Sequence, residues 1–125
     1  MSTWTEDQLR AVDRTKELRI STRRSDGTMR PAVPIWVVRV GNGLYIRSYK
    51  GSGGAWFRHA TEQGAAHISA GNVDSDVTVA LAGTSERDAV DQAYRAKYSR
   101  YGHAYVDPMT ADMAAGTTIQ ITPVS

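Results

Sequence analysis

The chain contains no cysteine. Disulfides, thiolate metal sites and a cysteine nucleophile are therefore excluded. It also lacks any apolar run near the roughly 20 residues that span a bilayer. Its opening, MSTWTEDQLR, is polar where a secretory leader is apolar. The expectation is a cytoplasmic protein with no membrane partner. An excess of one charge is missing too: 15 basic residues stand against 13 acidic ones, a net charge of +2. That balance does not imply a nucleic-acid partner. At 125 residues the chain is expected to form one domain with a core of its own. No internal repeat and no low-complexity linker divides it.

Several catalytic signatures are absent as well. The histidines are His59, His67 and His103. None stands at metal-ligand spacing from another histidine or acid, so no metal is expected. No Ser–His–Asp order can be assembled. The Gly-Lys-Ser order of a phosphate-binding Walker loop is missing, and no parallel βαβ unit surrounds the glycines. Asp74 and Asp76 are explained by turn chemistry.

What is present is alternation. Thr5-Glu6-Asp7-Gln8 opens a short helix to about Arg14, with Thr5 able to cap and the acids at the positive end of the dipole. Glu17–Arg23 alternates with period two, the mark of a half-buried strand. Ser25-Asp26-Gly27-Thr28 is a hairpin turn, with Gly27 free to take a positive φ. Pro34–Val40 reads as one strong strand, with Pro34 at its start or on an edge. Gly41-Asn42-Gly43 turns the chain back into Leu44–Ser48, completing a three-strand meander.

Gly54–Gln63 reads as a short helix stopped by Gly64. Ala66–Ala70 and Val77–Leu81 are strands joined by a turn at Gly71–Ser75. Thr84 and Ser85 are placed to cap the strongest helix, in which Asp91 and Arg95 pair at i, i+4. Its apolar stripe runs through Val90, Tyr94, Lys97, Tyr98 and Tyr101, and Gly102 ends it. A turn of helix is expected at Met109–Ala114, and Thr117–Thr122 is a last strand. The layout is one domain: an N-terminal helix over 1–15, barrel strands over 16–82, a helix over 84–101 and a closing strand over 116–123. About six antiparallel strands with flanking helices point to a mainly β fold, a small barrel or strongly curled sheet.

The densest chemistry lies between Arg39 and Arg58. Arg47, Ser48, Tyr49 and Lys50 stand at the end of a strand. Gly51, Ser52, Gly53 and Gly54 follow, then Trp56, Arg58 and His59. Cations, hydroxyls, bare amides and an aromatic plate are suited to an anionic, flat ligand. The competing reading is a glycine-rich connection with solvent-facing charges. Trp36 and Trp56 could stack on a ring, or belong to the core. Tyr94 and Tyr98 are expected to bury against the sheet or a partner subunit. Lys97, on the same stripe, requires an anionic partner or a route to solvent. Lys97, Tyr94, Tyr98 and His59 are candidates for a surrounding layer.

Four groups of residues occur in an order that resembles the flavin-type split-barrel superfamily. They are Pro34-Ile35-Trp36-Val37-Val38, Leu44-Tyr45-Ile46-Arg47-Ser48 with Gly51, Gly54-Ala55-Trp56-Phe57-Arg58, and Ala93-Tyr94-Arg95-Ala96-Lys97-Tyr98. That superfamily includes pyridoxamine-phosphate oxidases and deazaflavin-dependent reductases. Within it the chain is similar to a small bacterial branch of uncharacterised proteins, over Glu17 to Pro123.

The resemblance implies a six-stranded antiparallel split β-barrel, usually a homodimer with cofactor sites along the subunit interface. It implies FMN or a deazaflavin as cofactor and a small organic molecule as substrate. Arg47, Ser48 and Lys50 match the positions that hold the cofactor phosphate, with Gly51, Ser52 and Arg58 beside them. Trp36 and Trp56 would surround the ring. The oxidases' substrate-phosphate residues have no match here, so vitamin B6 oxidation does not carry over. The functional expectation is an FMN- or deazaflavin-dependent oxidoreductase. The alternative is a cofactor-free barrel that acts as a small-molecule binding module or a non-redox isomerase or cyclase.

Overall fold

The computed structural model describes residues 3–48, 54–102, 110, 114 and 116–124. The elements are α1 (Glu6–Arg14), β1 (Leu18–Ser21), β2 (Val33–Ile35), β3 (Val37–Val40), β4 (Gly43–Ile46), α2 (Ala55–Gln63), β5 (Ala65–Ala70), β6 (Val73–Leu81), α3 (Thr84–Tyr98) and β7 (Ile119–Pro123). A turn of 3₁₀ helix, Ser99–Tyr101, extends α3 to Gly102. Thr110 and Ala114 are helical, in line with the turn of helix expected there. The remainder of that segment, with His103, lies outside the described residues, as do Tyr49, Lys50, Gly51, Ser52 and Gly53.

The seven strands form one sheet in the order β2-β1-β5-β6-β7-β4-β3, antiparallel throughout. The two edges are β2 and β3, and in the chain only Trp36 separates them. A covalent strand segment therefore bridges the two edges, and the sheet curls into a nearly closed split barrel. The stretch Pro34–Val40, expected as one strand, is in fact two. Its first half pairs with β1 and its second with β4, at opposite ends of the sheet order. One straight strand cannot serve both neighbours, so the ladder breaks at Trp36. This also explains why seven strands appear where six were expected. Pro34 lies on an edge strand, where its missing N–H costs no ladder bond.

Local signals fix the turns. Gly27 takes a φ of 91° in the hairpin, where Asp26 Oδ1 accepts from the Thr28 amide at 3.0 Å. Gly64 sits at φ 66° after α2 and donates to the Ala60 carbonyl at 2.8 Å. Thr5 and Gln8 form a reciprocal capping box on α1. Helix α3 departs from expectation: its N-cap is Gly83, and neither Thr84 nor Ser85 caps it. The helix begins at Thr84, which places both hydroxyl residues inside the first turn. The turn after β5 is also tighter than expected. β6 begins at Val73, so Asp74 and Asp76 are strand residues.

The alternation sorts residues into two cores. Leu18, Ile20, Leu44, Ile46, Ile68, Val77, Ile119 and Ile121 fill the barrel, closed by Leu9 and Val12 of α1 and Phe57 and Ala60 of α2. On the outside, Val38 and Tyr45 meet Val90, Tyr94 and Tyr98 of α3. Trp4 pins the N-terminus by donating from Nε1 to the Ile121 carbonyl at 2.9 Å.

Candidate functional site

The site expected from the sequence begins where β4 ends. Leu44 and Ile46 point into the barrel, so period two sends Tyr45 and Arg47 outward, beneath α3. The Arg47 side chain has no solvent exposure. Its Nε donates to Thr118 Oγ1 at 2.9 Å, and Nη2 donates to the Arg87 carbonyl at 3.1 Å. Nη1 forms an ion pair with Asp91 of α3. The guanidinium lies 5.4 Å from the Tyr94 ring centre. Helical spacing pairs Asp91 with Arg95 at i, i+4. Asp91 instead turns inward to a residue 44 positions away in the chain.

Ser48 is also buried, and its amide donates to Thr117 Oγ1 at 2.8 Å. These contacts seat the end of β4 firmly against β7's approach and α3. Gly54 is the N-cap of α2 and has no side chain to cover the first amides. The first turn of α2 carries no acid, and Arg58 is exposed on it. His59 and Trp56 are half-buried beside it. Trp56 packs against the barrel core and meets Phe57 edge-on at 6.1 Å. A hydroxyl residue, an uncapped helix start and an exposed guanidinium thus flank the glycine run.

Trp36 is placed elsewhere, at the break between β2 and β3. Its ring stacks on Tyr98 at 3.8 Å with planes 3° apart, and Tyr101 lies 6.1 Å away. The Tyr98 hydroxyl accepts from the Val37 amide at 3.2 Å and donates to the Lys16 carbonyl at 2.5 Å. Lys97 Nζ donates to the Val37 carbonyl at 2.8 Å and stands 3.9 Å from Asp13. The backbone amide and carbonyl of Val37, at the start of edge strand β3, are thereby satisfied from α3. Burial pulls the Lys97 ammonium down to about 8, against the opposing pull of Asp13. Burial pushes both the Tyr94 and Tyr98 phenols far up. The Tyr94 hydroxyl lies near the Arg47 backbone, and among the described residues neither it nor the buried Arg87 Nε has a hydrogen-bond partner.

One cluster went unread in the sequence. His67 on β5 lies directly across from Asp76 on β6, and Asp74 is two residues along the same face. His67 Nδ1 meets Asp76 Oδ1 at 2.8 Å, and Nε2 meets Asp74 Oδ1. Hydrogen bonding to Asp76, reinforced by Asp74, raises the His67 pKa. The two acids at i and i+2 signal one strand face, but their partner emerges only with the β5–β6 register. Among the described residues no group of three or more His, Cys, Asp or Glu side chains is arranged to hold a metal ion. Nor is any helix among them long and apolar enough to cross a membrane.

Comparison with solved structures gives the fold a setting. An F420-H2-dependent reductase superposes with a TM-score of 0.62 at 17% identity, covering 86% of this chain and 93% of that one. A pyridoxamine 5′-phosphate oxidase-like protein from Listeria innocua gives 0.60 at 10% identity, covering 95% and 90%. A structure described as a domain-swapped dimer gives 0.63 at 18%, covering 94% and 87%. At these identities the likeness establishes the split-barrel fold and nothing finer. No curated protein matches the chain. A family model described as an uncharacterised protein conserved in bacteria (DUF2255) matches residues 8–121. The chain is therefore a split-barrel member of the bacterial family DUF2255.

Proposed function

We propose that this protein binds a phosphate-bearing flavin-type cofactor, FMN or a deazaflavin, and acts as an oxidoreductase on a small organic substrate. The observation that carries the reading is the β4–α2 junction. Strand β4 is followed by buried Arg47 and Ser48, and α2 starts after Gly54, an N-cap with no side chain, with no acid in its first turn and Arg58 exposed. Amides at a helix start and a nearby guanidinium favour an anion. This donor set fits a phosphate, and the redox proteins among the structural neighbours support the same choice.

In this reading Arg58, Ser48, Lys50, Gly51 and Ser52 are the proposed phosphate contacts. Arg47 acts from behind: its guanidinium is committed to Asp91 and Thr118, and it fixes the direction in which β4 leaves the barrel. Trp56 is the proposed neighbour of the ring. Trp36 supports from a distance, because Tyr98 already covers one face of its indole. Such a cofactor carries the hydride itself, so the protein's task is to hold and orient it. A homodimer is part of the proposal, supported by the domain-swapped neighbour.

The experiment is a titration of the purified protein with FMN and, separately, with F420, followed by absorbance and tryptophan fluorescence. Saturable binding of one of them is expected. Arg58→Ala should weaken it by about 1.5–3 kcal/mol, the scale of a charge-assisted hydrogen bond. A folded protein that binds neither cofactor overturns the proposal and favours the cofactor-free barrel.

A further inference from the structure

Helix α3 covers the outside of the barrel over Val38 of β3 and Tyr45 of β4. A second stretch of outer face is built by β1, β5 and β6, which pair in that order. Leu18, Ile20, Ile68 and Val77 fill the barrel, so period two sends Arg19, His67, Ser69, Asp74 and Asp76 outward. Arg19, Asp74 and Asp76 are exposed, and His67 and Ser69 are partly so. We propose that this face is a self-complementary interface, on which a second copy of the chain packs about a twofold axis running along β5.

The order of charge across the strands carries the inference. The cations stand on one side, with Arg19 on β1 and exposed Arg23 two residues past its end. The acids stand on the other side, with Asp74 and Asp76 on β6. Between them His67 of β5 bonds both acids through its two ring nitrogens. That trio keeps one negative charge even when the imidazole is protonated. The face is therefore positive along β1 and negative along β6.

Within one copy the two sides do not meet. Register aligns Arg19 with Ser69, and Ser69 with Asp74. Two strand spacings, about 10 Å, thus separate Arg19 from Asp74. No ion pair among the described residues includes Arg19.

A half-turn about β5 exchanges the two sides. It sets Arg19 over Asp74 of the partner subunit in the same row, and symmetry repeats the contact. Packed sheets lie about 10 Å apart, a gap that an arginine and an aspartate side chain span together. The small Ser69 lies near the axis and lets the faces approach. Apolar groups follow the same pattern. Exposed Met29 bridges to Arg23 on the positive side, and exposed Val124 donates its amide to the Asp76 carbonyl on the negative side. The half-turn brings each toward the other's counterpart in the second copy.

The inference rests on the homodimer of the preceding reading and assigns its surface; it does not depend on which cofactor binds. Its test is sedimentation of the full chain, without cofactor, over a dilution series. The unchanged protein should form a dimer. Arg19→Glu and Asp74→Lys should each weaken that dimer at least tenfold, since each places like charges opposite one another twice. An equal mixture of the two variants should form a mixed dimer within threefold of the original strength, because every contact then joins opposite charges. The neutral changes Arg19→Gln and Asp74→Asn should weaken the dimer less than the reversals, and they probe the same contact if a reversed variant fails to fold. A monomeric unchanged protein overturns both this inference and the homodimer. A dimer that ignores the substitutions, or folded variants that fail to combine, overturns this surface alone.

Discussion

Arg47, just past the end of β4, and Asp91 on α3 form an ion pair in which the guanidinium is wholly shielded from water. Such a pair ties the end of a barrel strand to α3, which packs outside the barrel. Removing one partner leaves the other charge uncompensated, typically at a cost of 3–5 kcal/mol. Asp91 is 20% exposed, so water offsets part of that cost. Asp91→Ala should destabilise the protein by about 3 kcal/mol in denaturant unfolding. A loss under about 1 kcal/mol would show that the pair does not hold the helix.

Tyr98 carries a different kind of connection. Its hydroxyl bonds the Val37 amide and the Lys16 carbonyl, so two backbone segments share one oxygen. Tyr98→Phe keeps the stacking on Trp36 and deletes only that oxygen. The expected loss is about 1–3 kcal/mol, because the Val37 amide is left buried without its acceptor. Hydrogen exchange at Val37 should accelerate in the variant. Unchanged exchange there would mean that the edge of β3 is protected by something else.

Lys97 predicts a slope of stability with pH. Its ordinary pKa is 10.5, and burial lowers it to about 8 in the fold. Between these values the unfolded chain holds a proton that the folded chain has released. Stability therefore rises with pH across that window. Above about pH 10 the two buried phenols oppose the rise, since the unfolded chain ionises them first. The clean range is about pH 8 to about pH 10. Lys97→Met should flatten it in thermal or denaturant unfolding, and a slope that survives the substitution assigns it to another group.

His67 predicts the opposite sign at lower pH. Its pKa in the fold is raised above 6.5, chiefly by Asp76. The stabilisation is fully present below about 6.5 and is lost as pH rises through the folded value. The trio is largely solvent-exposed, so the effect should be small and should shrink with added salt. An NMR titration of the imidazole reads the pKa directly. A value at or below that of a free histidine would remove the trio as a stabilising unit.

The strand at Leu18–Ser21 and the Val77–Leu81 part of β6 were legible because alternation is a local property of the chain. The stops at Gly27 and Gly64 were legible for the same reason: a residue without Cβ takes positive φ cheaply. The start of α1 needed only Thr5 and the residues after it. At the candidate site, the sequence gathered the strand end, the glycines and Arg58 into one stretch. It could not say which of those cations would face solvent.

That decision belongs to the tertiary structure. Arg47 and Asp91 are 44 residues apart, and Lys97 and Val37 are 60 apart. Period two states that Arg47 opposes Ile46 in direction, yet it does not name the helix that covers that face. The break at Trp36 follows from closing the sheet, which depends on every strand's neighbour at once. His67 found its two acids only through the β5–β6 register. The sequence determined where the chain turns and which residues seek the interior, since those preferences act over a few residues. The assignment of partners came from the closed barrel, because a contact between distant residues exists only once the strands between them have paired.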